Sequence, residues 1–256
     1  MPAPTRLWPD ETYQRVLLVL IALLFVTCVW GFVELAQRAP RGEFEATENR
    51  ILSAFRQTED PNQGIGPRWM PEMARDVTAL GSAFVLTLVT ALIVGLLMMR
   101  RRVRTALLIL AATLGGYLLS TWLKDLFGRG RPTAVPHLTE EVSMSFPSGH
   151  SMVGAAFYLT MGLLLAQTVA HRREKIYFVV TAVVITLLIG MSRVYLGVHY
   201  PTDVVAGWAA GTAWALFCWG TAWYLQRRGS IRTAEDVDAE VLIPSHPRLP
   251  DARSSR

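Results

Sequence analysis

Three short polar stretches stand at the edges of long apolar runs, where charged side chains are expensive and default to functional roles. The first is Lys124-Asp-Leu-Phe-Gly-Arg-Gly-Arg131-Pro132. It sets two cations, Lys124 and Arg131, on either side of a glycine-rich elbow; taken alone, it is equally a set of basic chains snorkelling from a helix end. The second is Ser145-Phe-Pro147-Ser148-Gly149-His150, directly ahead of an apolar run. Ser148 and Gly149 fall where a helix N-terminus presents free N–H groups, which suits an anion, and a capping role for Ser148 is compatible with that. His150 has the chemistry to protonate a leaving oxygen, a contribution of about 10²–10⁴ in rate.

The third stretch, Ser192-Arg193-Val-Tyr-Leu-Gly-Val-His199-Tyr-Pro-Thr-Asp203, brings a cation, an imidazole and a carboxylate. Asp203 follows His199 by four residues, with Pro201 and Thr202 opening a helix between them. It is placed to return a carboxylate to the imidazole and select its free nitrogen, an arrangement of nucleophile and orienting partner. The plainer alternative is a capping carboxylate worth about 0.3–1 kcal/mol at a helix start. Together the stretches supply Lys124, Arg131 and Arg193 around a phosphate group of about −1.5 to −2 charge. No Walker A loop, HExxH or aspartate run accompanies them, so the expectation is a reaction needing neither metal nor cofactor.

The elements that must position these groups are membrane helices. Hydrophobic residues make up 52% of the 256, charged residues only 18%. The apolar residues form blocks of about 20, the length that crosses a bilayer. Six spans are expected, near 16–36, 78–99, 103–123, 151–170, 176–192 and 204–225. Arg100, Arg101, Arg102 and Arg104 follow the second span, Arg172, Arg173 and Lys175 the fourth, and Arg227 and Arg228 the sixth. These basic clusters assign their loops, and both termini, to the cytoplasm. The three polar stretches then converge on the outer face of an all-α, six-helix bundle.

The net charge of +5 is an orientation signal that also meets anionic inner-leaflet lipid, so no nucleic-acid partner is inferred. Cys28 and Cys218 lie within spans, without the pairing or spacing of a disulfide framework or zinc site. The first apolar run exceeds a signal-peptide core and ends at Glu34 without a small-residue cleavage pattern, so it reads as an anchor. The expected organisation is a cytoplasmic N-terminal segment at 1–15, the membrane domain at 16–228 and a flexible, polar cytoplasmic tail at 229–256. Within the outer loop 38–77, Phe44, Ile51, Leu52 and Phe55 recur at helical spacing. They predict a short amphipathic helix, at the membrane surface beside a substrate entrance or packed on other loops.

Read in order, Lys124…Arg131-Pro132, Pro147-Ser-Gly-His150 and Ser192-Arg193…His199…Asp203 resemble the three-part signature of the type 2 phosphatidic acid phosphatase family. That family is related to the vanadium haloperoxidases, and the likeness is to its bacterial membrane-bound branch. The resemblance covers residues 124 to 203 and the six-helix layout. It implies a lipid phosphatase in which His199 attacks phosphorus to form a phosphohistidine, Asp203 orients it, and His150 protonates the departing lipid oxygen. Lys124, Arg131, Arg193, Ser148 and the Gly149 amide would hold the phosphate; Arg129 falls outside the motif.

The implied substrates are membrane lipid phosphates: undecaprenyl diphosphate, phosphatidylglycerol phosphate or phosphatidate, reached from the outer face of a bacterial plasma membrane. No obligate protein partner is expected. One histidine must attack unprotonated and the other donate a proton, so a bell-shaped pH profile follows. Phosphotransfer to another lipid or sugar is the alternative outcome of the same intermediate. A transporter would place its charges near the bilayer midplane rather than at span ends.

Overall fold

The computed structural model describes residues 11–141 and 143–227, so the expected tail at 229–256 and most of the N-terminal segment lie outside the described residues. Every regular element described is helical: α1 (Glu11–Arg38), α2 (Glu45–Ala54), α3 (Met70–Ala79), α4 (Ala83–Met99), α5 (Val103–Leu110), α6 (Gly116–Phe127), α7 (Gly149–Thr168), α8 (Arg172–Tyr195) and α9 (Pro201–Arg227). A 3₁₀ turn follows α1, and a π-helical turn at Ala111–Gly115 joins α5 to α6. Residues 1–219 group as one compact unit, and residues 220–256 as a second, whose described part is the helical stretch 220–227.

Among the described residues, four helical segments are long and apolar enough to cross a membrane: 15–41, 103–127, 149–168 and 172–195. A fifth arises if α3 and α4, bent by 42° at their junction, act as one broken span. That pair covers the span expected at 78–99, whose N-terminal part diverges as an amphipathic segment. The sixth expected span corresponds to α9, 27 residues long but absent from the segments that meet the apolarity requirement. Its sequence is built from Gly, Ala, Thr and Trp as much as from aliphatic residues, the composition of a helix packed against other helices more than against lipid.

Helix α7 lies centrally, contacting α4, α5, α6 and α8. Small residues let its neighbours close in. A Cβ on Gly207 would lie 2.7 Å from the Ser148 carbonyl oxygen, and one on Gly211 would collide with that of Met152. Gly162 likewise sits under Ala182 of α8. Without a hydrophobic drive between helices in lipid, such close backbone packing supplies the association. The C-terminal end of α1 joins through Phe32, which stacks on Phe146 at 6.0 Å and meets Phe127 edge-on at 6.3 Å.

Candidate active site

All three polar stretches meet at one end of the helix cluster. Lys124 comes from the last turn of α6, which stops at Gly128 (φ +56°), a left-handed position that glycine adopts without strain. The chain then turns through Arg129 and Arg131. His150 lies in the first turn of α7, and Arg193 in the last turn of α8. Gly197 (φ +78°) reverses the chain after α8, and His199 sits in the turn before α9, whose first turn holds Asp203.

Arg131 fastens the layers together. Its Nε donates to the Ser143 carbonyl at 2.7 Å, and its Nη1 donates to the Val198 carbonyl at 2.7 Å and lies 3.4 Å from His199 Nε2. Lys124 Nζ donates to Ser143 Oγ and to the Met144 carbonyl, each at 2.9 Å. Arg193, buried, donates from Nη1 to Thr78 Oγ1 at 3.2 Å and from Nη2 to Glu141, while its Nε has no partner among the described residues. A Cβ on Gly149 would lie 3.5 Å from Lys124 Cε, so the backbone at the start of α7 approaches the lysine closely. Ser148 occupies the N-cap position but makes no capping bond; its hydroxyl accepts from Ser151 Oγ at 3.0 Å. The floor of the site, formed by Arg193, His199, Ser148 and Asp203, is buried, whereas Lys124, Arg131, Gly149 and His150 remain partly open.

His199 Nδ1 faces Asp203 Oδ2 at 3.5 Å, within ion-pair reach but without a hydrogen bond. The carboxylate is engaged on every side. Oδ2 accepts from Ser145 Oγ and from the Tyr200 N–H at 2.9 Å; Oδ1 accepts from Arg129 Nη1 at 2.6 Å. Burial, with the positive charges of Arg193, Arg131 and Lys124, holds the His199 imidazole well below its ordinary pKa, so it presents a neutral ring.

Every residue expected at the site is therefore brought together: Lys124, Arg131, Ser148, Gly149, His150, Arg193, His199 and Asp203. Four more belong to the same cluster. Ser145, in the second polar stretch, donates its hydroxyl to Asp203. Arg129 and Glu48 form a buried ion pair at 2.6 Å, and Glu141 bridges Arg193 and Arg131, the latter at 3.5 Å. Burial raises the affinity of the Glu141 carboxyl for a proton, but Arg193, His150 and Arg131 more than offset this and leave its pKa below the ordinary value. Nothing in the spacing marks Glu141 or Glu48, since each is one acid among several in a charged loop. The amphipathic helix expected around 44–55 forms as α2, and its buried face carries Glu48 as well as Leu52.

A family model described as the PAP2 superfamily matches residues 105–227. Phosphatidylglycerophosphatase B of Bacillus subtilis (strain 168) is 38% identical over 146 residues, covering 56% of this chain and 70% of that protein. The chain belongs to the PAP2 superfamily. Lipid A 1-phosphatase of Rhizobium johnstonii is 37% identical over 106 residues, spanning 38% of this chain and 39% of that relative. The crystal structure of a transmembrane PAP2-type phosphatidylglycerolphosphate phosphatase from Bacillus subtilis superposes with a TM-score of 0.71 at 29% identity, covering 79% of this chain and 98% of the other. This PAP2 chain is thus a membrane protein and a phosphoric ester hydrolase. The three motifs, residues 124 to 203, fall wholly inside the matched region; α1 to α4, with Glu48, lie outside it.

Proposed function

We propose that this protein is a metal-independent lipid phosphate phosphatase that works through a phosphohistidine on His199. The observation that carries the reading is the gathering of three cations about the buried His199 imidazole: Arg131 Nη1 stands 3.4 Å from its Nε2, and the charges of Arg193 and Lys124 also act on the ring, as does neighbouring His150. Neutral His199 attacks phosphorus with Nε2; the N–P bond forms as the bond to the lipid oxygen breaks, and His150 gives that oxygen a proton. Water then attacks the phosphohistidine, His150 takes a proton back, and phosphate leaves. Asp203, on the Nδ1 side, balances the positive charge that the ring acquires. The cations, with Ser148 and the Gly149 amide, stabilise the charge of the transferring group.

Relatives named for phosphatidylglycerophosphate and lipid A favour a phosphorylated membrane lipid, with phosphatidylglycerol phosphate, phosphatidate and undecaprenyl diphosphate as candidates. The same reading completes a sixth span with α9, keeps both termini in the cytoplasm and directs the site toward the outer face of a bacterial plasma membrane. The basic clusters after the second, fourth and sixth spans support that orientation.

The test is phosphate release from a panel of these lipids by detergent-purified protein in EDTA, for wild type, His199→Ala and His150→Ala. Release that survives chelation and vanishes in both variants is the expected result. Release that requires a divalent ion, or persists in His199→Ala, refutes the mechanism. Label appearing in another lipid or sugar instead of in free phosphate would convert the reading to phosphotransfer.

A further inference from the structure

Arg129 lies within the first polar stretch but at none of its assigned phosphate-binding positions, and Glu48 stands on α2, ahead of the family-matched region. Both are nonetheless buried behind His199: Glu48 is 2% exposed and Arg129 8%. The Arg129 fork takes one carboxylate on each terminal nitrogen. Nη1 donates to Asp203 Oδ1 at 2.6 Å and to Thr202 Oγ1 at 2.9 Å, while Nη2 donates to Glu48 Oε2 at 2.6 Å. The guanidinium lies 4.1 Å above the Tyr200 ring centre. Glu48 Oε1 in turn accepts from the Thr202 hydroxyl and, at 3.3 Å, from the Thr202 N–H. The two carboxylates, the guanidinium and the first turn of α9 are thus one connected unit.

We propose that Glu48 and Arg129 are positioning residues for Asp203 and, through it, for His199; the inference rests on the catalytic reading given above. Two features of the geometry support it. Asp203 Oδ2 is the oxygen nearest His199 Nδ1, and the rotation of the carboxylate that sets this distance is pinned from the other oxygen by Arg129. Arg129 is itself aimed by Glu48. The second feature is charge: Asp203, Arg129 and Glu48 sum to one negative charge behind the imidazole, while Lys124, Arg131 and Arg193 lie on the side of the phosphate. When Nε2 bonds to phosphorus the ring becomes cationic, and a net negative charge on its far side favours that state. A buried Asp–Arg pair alone would be neutral there, so the second carboxylate is what makes the unit negative.

The loop helix α2 thereby delivers a buried acid to the base of the catalytic turn. Arg, not Lys, suits position 129, because only a planar fork reaches two carboxylates in fixed geometry.

The experiment measures kcat and KM for phosphate release from dioctanoyl phosphatidate in detergent micelles, for wild type, Glu48→Gln, Arg129→Gln, Arg129→Lys, Asp203→Asn and the double variant Asp203→Asn with Arg129→Gln. Elution as a single species on size exclusion checks the fold. We expect kcat to fall about 10–100-fold in Glu48→Gln and Arg129→Gln, the scale seen when a partner that orients a catalytic ligand is removed. KM stays unchanged, because the phosphate-facing cations are untouched, and Arg129→Lys does not restore kcat. The double variant should be no slower than Asp203→Asn alone, since Arg129 acts through Asp203.

Wild-type kcat in Glu48→Gln, or losses that multiply in the double variant, would overturn the inference. If Arg129→Gln yields no folded protein, Glu48→Gln, which keeps the side-chain volume, decides alone. His199→Ala run alongside separates the two levels. Release persisting there removes the catalytic reading itself, whereas its loss together with undiminished kcat in the Glu48 and Arg129 variants removes only the positioning role.

Discussion

Replacing Arg131 by glutamine removes a guanidinium whose Nη1 stands 3.4 Å from the nitrogen proposed to attack phosphorus. A phosphoryl group bonded to that nitrogen is within about 4 Å of the charge, and a unit pair at 4 Å interacts with about 4 kcal/mol at the effective dielectric of a partly buried site. Part of this acts on the bound ground state as well as on the transition state. The loss from removing one donor of an oxyanion site, about 2.7–4 kcal/mol or 10²–10³ in rate, is therefore the scale to expect in kcat/KM. The assay is initial-rate phosphate release from a short-chain lipid phosphate, with thermal unfolding in the same detergent as control. That control matters because Arg131 also ties the Ser143 and Val198 carbonyls, so the variant should melt somewhat earlier. Arg131→Lys should recover part of the rate, since a point charge returns but the fork does not. A kcat/KM for Arg131→Gln within fivefold of wild type, in folded protein, would refute the electrostatic role assigned to this side chain.

Further tests follow from the same geometry. Glu141 occupies donors of Arg193 and Arg131 that a phosphate must use, so Glu141→Gln should lower KM for the lipid phosphate; an unchanged or higher KM would show that the carboxylate does not compete with substrate. His199 takes up a proton less readily in the fold than at its ordinary pKa of about 6.5, so the stability it contributes is full above that pH and is lost as pH falls below it. The melting temperature of wild type should therefore decline below pH 6.5 more steeply than that of His199→Asn; parallel curves would contradict a buried, neutral imidazole. Gly211→Val should place a branched side chain against the Met152 carbonyl and destabilise by more than the usual overpacking cost of about 1–3 kcal/mol. It should also reduce activity by shifting the start of α7, and normal folded yield with normal kcat would show that α7 and α9 do not pack as described.

Much of the site is legible in the sequence, because it consists of chemically distinctive residues at helix ends. Lys124, Arg131, His150, Arg193, His199 and Asp203 are conspicuous as polar groups bordering apolar runs, and a helix length of about 20 residues locates their elements to within a few positions. What local pattern does not carry is partnership across the chain. Glu48 and Arg129 are 81 residues apart, Arg193 and Glu141 52, and Ser145 and Asp203 58. An acid in a charged loop has the same local signature whether it is solvated or buried against a catalytic turn, and only packing distinguishes the two. The same holds for the helices. Hydropathy identifies α1, α7 and α8 directly, since lipid selects for apolar length, but α9 is set by close contacts of its glycines with α7, while the break between α3 and α4 carries a local signal in Ser82, whose Oγ accepts from the Val85 N–H at 3.3 Å and caps α4. Residue types and apolar lengths thus carry the available chemistry and the medium in which it works; which charges face the phosphate and which stand behind the histidine depends on the fold, because burial and pairing are properties of neighbours that are distant along the chain.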